Sequence, residues 1–89
     1  MHVILEGYIV VSADELEVVQ KALVEHTRLT RLEDGCLQFE VVQDVVNQYQ
    51  FNVYEEFINQ TAFELHQTRA RQSRWGLLTK NVERHYQIR

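Results

Sequence analysis

Of the four histidines in the chain, two fall where an imidazole could move protons. His26 follows Val19, Ala22 and Leu23 by seven, four and three residues, which puts it mid-stripe on the apolar face of a helix. A histidine there is partly desolvated and stays neutral near pH 7, the state a proton acceptor needs. The packing alternative is a core histidine bonded to a backbone carbonyl. His66 shares a helix face with Phe63 and is a second candidate base at the edge of a pocket. Tyr54 and Tyr8 are phenols on expected strands, able to donate to a substrate oxygen or to bond across a subunit contact. Trp75, Phe63 and Phe39 could wall a planar ring, although large aromatics more often serve as core. Arg69, Arg71 and Arg74 cluster in an acidic chain and read as a solvated helix face or an anion-steering rim. Cys36, the single cysteine, has no neighbour that would activate it and reads as structural. No HxxxH or carboxylate spacing accompanies the histidines, so no metal site is expected.

The elements that must position these residues are legible from period. At 89 residues the chain makes one domain, 1–89, and a net charge of −4 argues against nucleic acid as partner. No apolar run reaches the roughly 20 residues that span a bilayer. Met1 to Val11 reads as a strand rather than a signal peptide, so a cytoplasmic location is expected. Ser12-Ala13-Asp14-Glu15 has the form of a capping box opening a helix to about Leu32, with Asp34-Gly35 as a left-handed stop. Leu37, Phe39 and Val41 alternate with polar residues. So do Tyr49, Phe51, Val53 and Phe57, and a turn at 44–48 makes the two runs an antiparallel hairpin. Asn59 or Thr61 opens a second helical region, broken near Thr68 and resuming through Arg71, Trp75 and Leu78. Val82 to Ile88 alternates as a last strand. The order is that of a ferredoxin-like βαββαβ fold, α+β with an antiparallel sheet. Its uncovered face, carrying Gln38, Glu40, Val42, Asn52 and Tyr54, is half apolar and predicts a homodimer.

Three stretches then resemble one family. Glu33-Asp34-Gly35-Cys36-Leu37-Gln38-Phe39 is similar to an E-x-G-C-L-x-Y/F segment of antibiotic biosynthesis monooxygenase domains. Val53-Tyr54-Glu55-Glu56-Phe57 resembles their x-Y-E-x-W/F strand end, and Ala62-Phe63-Glu64-Leu65-His66 their A-F-x-x-H helix. The resemblance implies a dimeric α/β barrel with a pocket between sheet and helices. It also implies oxygenation of a small phenolic or quinol-type molecule by molecular oxygen, with no metal or flavin cofactor. Other members isomerise or degrade small signalling molecules, and a non-catalytic binding domain is a further alternative. Ala70-Arg71-Gln72 stands where members often have a Pro-His-Phe-like stretch. Gly7, His66 and Gly76 stand near the asparagine, tryptophan and histidine of the heme-degrading branch, which disfavours heme as a substrate. The chemistry so implied needs a base (His66 or His26), a phenol to hold oxygen (Tyr54 or Tyr8), and Trp75, Phe63, Phe39 and Arg71 around the substrate.

Overall fold

The computed structural model describes residues 1–89. Strand β1 (Val3–Val10) leads into helix α1 (Leu16–Arg31). The hairpin β2 (Cys36–Gln43) and β3 (Gln50–Phe57) follows, then α2 (Gln60–Gln72), the short α3 (Arg74–Leu78) and β4 (Glu83–Ile88). The sheet order is β2-β3-β1-β4, with every neighbouring pair antiparallel. This is the expected ferredoxin-like α+β fold.

Alternation along β1 and β3 divides the sheet into two faces. Val3, Leu5 and Ile9 of β1 and Phe51, Val53 and Phe57 of β3 are buried under the helices. Phe57 and Phe63 belong to one core cluster, and Ile9, Val11, Val19 and Phe51 form a second. Helix α1 contributes Val19, Ala22, His26 and Thr30, a stripe at spacings of three and four. An aromatic chain joins the two clusters. Phe57 meets His66 at 4.9 Å, His66 meets His26 at 5.8 Å, and His26 meets Trp75 at 5.1 Å between ring centroids. The opposite sheet face carries Val42, 57% exposed, with Glu40, Asn52 and Tyr54, and no element of the chain covers it.

Several local expectations change. Helix α1 begins at Leu16 rather than after Ser12, because Ser12 Oγ donates to the Glu15 carboxylate (2.9 Å) instead of capping the helix. Gly35 is not a left-handed cap, since Gly7 is the single residue with positive φ. Gly35 is needed for space: a Cβ there would lie 2.3 Å from that of Ala62 on α2. Asn59, not Thr61, caps α2, accepting from the Ala62 amide at 2.9 Å. The helical break falls at Ser73 rather than near Thr68, where the Ser73 hydroxyl accepts from the Gly76 amide and starts α3. A register shift between Cys36 and Gln38 leaves Leu37 half exposed instead of in phase with Phe39.

Candidate functional site

A cavity of about 470 Å³ opens between the helix-facing side of the sheet and the helices. Leu5 from β1, Glu55 from β3, and Arg84 and Tyr86 from β4 line its sheet side. His26, His66, Ala70 and Trp75 line the helical side, and Leu77, Thr79 and Lys80 lie at the α3 end. A larger, shallower groove of about 680 Å³ runs along α1 past Leu23, Val24 and Leu32. Arginines are its only charged residues, so it offers no proton-transfer chemistry.

His66 is the best-anchored group in the cavity. It is 2% exposed, so it lies in the core rather than at the pocket edge the sequence suggested. Its Nδ1 lies 2.9 Å from Glu33 Oε1, and Arg69 Nε donates to Glu33 Oε2 at 2.6 Å. Arg69 in turn donates to Thr30 Oγ1 at 2.7 Å. A carboxylate facing Nδ1 fixes the tautomer: Nδ1–H donates and Nε2 keeps its lone pair. Burial and the Arg69 charge lower the proton affinity of His66, and Glu33 opposes them. The neutral imidazole is therefore the resting state at pH 7, with a carboxylate placed to stabilise the imidazolium once a proton arrives.

His66 Nε2 faces Glu55 Oε1 at 3.5 Å, too long for a hydrogen bond, and that oxygen has no other partner. Burial first, and then the Glu33 charge, push Glu55 up to about 7. A carboxyl poised there can take or give a proton at physiological pH. His26 differs. Burial, with His66 and Arg69 nearby, pushes it down to about 3, and its Nδ1 has no partner. Its ring stacks on Trp75 with an interplanar angle of 7°. No group of three or more His, Cys, Asp or Glu is arranged to hold a metal ion.

The sequence profile of the antibiotic biosynthesis monooxygenase family matches residues 2–75. The chain belongs to that family. No curated protein matches it, whereas solved structures do. A Bacteroides thetaiotaomicron VPI-5482 protein of unknown function, described as a possible oxidoreductase, aligns with TM-score 0.83 at 18% identity over 99% of this chain and 95% of its own. A candidate antibiotic biosynthesis monooxygenase from Deinococcus radiodurans aligns with TM-score 0.77 at 25% identity, covering 98% and 89%. PA3566 from Pseudomonas aeruginosa gives 0.72 at 20% identity, covering 99% and 88%.

Each of the three stretches that resemble the family delivers one member of the His66 network: Glu33 from the first, Glu55 from the second and His66 from the third. Of the residues singled out from sequence, His26, His66, Trp75 and Arg71 line the cavity. Phe39 and Phe63 are buried core. Phe39 backs both histidine rings, at 5.4 and 5.9 Å, and Phe63 packs on Phe57. Tyr54 and Tyr8 do not reach the cavity. Both lie on the opposite sheet face, where Tyr54 Oη donates to Glu56 at 3.2 Å and Tyr8 stacks on His85 at 4.7 Å. The cavity phenol is Tyr86 instead, 36% exposed, its proton affinity raised by partial desolvation and by Glu55. The cluster Arg69, Arg71 and Arg74 splits: Arg69 is tied to Glu33, Arg71 reaches the cavity and Arg74 does not. Burial pushes the Cys36 thiol up, consistent with an inert role.

Proposed function

We propose that this chain is a monooxygenase acting on a small phenolic or quinol-type molecule, with His66 as general base. The carrying observation is that His66 and Glu55 line one cavity side by side, with Glu33 behind His66 at Nδ1 so that Nε2, on the Glu55 side, keeps the lone pair. The substrate ring lies beside Trp75 and Tyr86. His66 Nε2 removes a proton from the substrate, and Glu33 stabilises the resulting imidazolium, as a carboxylate does for any oriented imidazole. The electron-rich anion reduces molecular oxygen, which the chemistry requires as co-reactant. In the keto form of such a phenol, as in an anthrone, a ring CH₂ plus O₂ gives C=O plus water, so one oxygen atom enters the substrate and the other leaves with two protons. Glu55, near neutral proton affinity, returns the proton that the departing hydroxide needs. Tyr86 donates to the developing oxyanion, the role the sequence gave to Tyr54 or Tyr8. The half-apolar face around Val42 pairs two copies into a homodimer and leaves the cavity on the far side of each sheet.

Oxygen consumption by chelator-treated protein, measured with a panel of anthrones and naphthoquinols, tests this reading. Uptake above the uncatalysed rate with at least one of them, lost in His66→Asn, is expected. No uptake with any, alongside exchange of substrate C–H for deuterium, would instead make the chain an isomerase. Binding without either would make it a non-catalytic domain.

A further inference from the structure

The chain has nine Lys and Arg residues against thirteen Asp and Glu. Five of those cations pair with carboxylates: Lys21, Arg28, Arg31, Arg69 and Arg89. Of the four that do not, Arg71, Lys80 and Arg84 line the cavity, and only Arg74 lies elsewhere. They come from three different elements: α2, the turn after α3, and β4. In an acidic chain, uncompensated cations from three segments have been gathered at one opening. Arg84 is also preset, its Nη2 donating to the carbonyl of buried Thr79 at 2.8 Å and its guanidinium lying 5.8 Å from the Tyr86 ring centroid. The sole acid among the lining residues is Glu55, at the deep end beside His66.

We infer that the molecule taken by this cavity carries an anionic group, a carboxylate or a phosphate, which Arg71, Lys80 and Arg84 hold at the mouth while its ring reaches His66. The inference rests on the reading of this cavity as a substrate site and narrows it to one charge class. A cation at the mouth contributes to anion binding because the pocket walls exclude part of the solvent that would otherwise screen it. Arg presents a planar fork that a carboxylate or phosphate can match with two hydrogen bonds, and Lys adds a mobile point charge. An oriented anion also fixes which ring position faces His66 Nε2, a positioning gain in addition to affinity.

Isothermal titration with 1-naphthol, 1-hydroxy-2-naphthoate and 1-naphthyl phosphate tests it without turnover. At least one anionic probe should bind about tenfold or more tighter than 1-naphthol, a difference of about 1.4 kcal/mol. The tighter of the two names the group. Raising NaCl from 0.05 to 0.5 M should erode the preference in the unmodified protein. The double variant Lys80→Gln/Arg84→Gln, at two exposed positions, should reduce it to about threefold or less, and Arg74→Gln should leave it intact. Three dissociation constants within about twofold, or a preference that survives both salt and the double variant, would overturn the inference. Oxygen uptake with a neutral quinol alongside such a result would strike only the charge class. Anion preference without oxygen uptake would strike only the oxygenation.

Discussion

Glu55→Gln is the perturbation with the most clearly signed outcome. The side chain is buried, its Oε1 is unpartnered, and its proton affinity is raised from 4.5 to about 7. An acid with a raised folded-state value contributes stability that is complete below the unfolded value. That stability is lost as pH rises through the folded one. At about 1.4 kcal/mol per pH unit, the cost of ionising Glu55 inside the fold levels off at about 3 to 4 kcal/mol above pH 7. Glutamine keeps the shape and cannot ionise. Any price of burying its amide is the same at every pH, so the slope is the readout rather than the offset. Urea titrations of both proteins at pH 5, 6, 7 and 8 should show the variant gaining about 2 to 3 kcal/mol relative to the parent from pH 5 to pH 8. With a slope of about 1–3 kcal/mol per molar urea, the relative midpoint moves by about 1–3 M. Parallel stability profiles would refute the reasoning, because Glu55 would then ionise as readily inside the fold as outside it.

Other outcomes follow from the same geometry. His66→Asn keeps a donor at the Nδ1 position for Glu33 and deletes Nε2, so turnover of a quinol should fall by about 10² or more while the circular dichroism spectrum is retained. His26→Phe keeps the stack on Trp75 and removes a base held at about 3. A lowered folded-state value costs stability as pH falls below the unfolded 6.5, so the variant should resist acid unfolding better than the parent by about 3 kcal/mol near pH 4, measured by denaturant titration. Val42→Asp should shift sedimentation from the dimer mass to the monomer mass at micromolar concentration, because it places a charge in the pairing face; a parent protein that sediments as a monomer would remove that contact. Gly7→Ala should cost more than about 1 kcal/mol of stability in a thermal melt, since a Cβ there would lie 1.8 Å from the His85 carbonyl oxygen at a φ of +153°.

Strands and helices were legible because period-two and helical patterns are set by which face must be buried. His26 and His66 were legible for the same reason. Tyr54 was readable as lying off the cavity, since it shares the parity of Asn52 and Val42 across the pairing of β2 and β3. Glu55 was missed although its signal was present: it stands in phase with Phe51, Val53 and Phe57 on the buried face of β3, and an acid in an apolar phase marks a site. Glu33 had no such signal, because its bond to His66 spans 33 residues of sequence. The false cap at Gly35 and the displaced helical break have one cause. Local motifs name a residue type without saying whether the backbone or a neighbouring helix requires it.

Trp75 is the single tryptophan of the chain and lies face to face with His26 inside the cavity. The molecule thus carries one indole chromophore, sited where chemistry is proposed to occur. Its emission reports that one stack, with no background from other tryptophans to subtract. A ring that slides in beside it changes its polarity and quenching at the moment of entry, before any bond is made. Rapid-mixing fluorescence can therefore time the loading step separately from the consumption of oxygen.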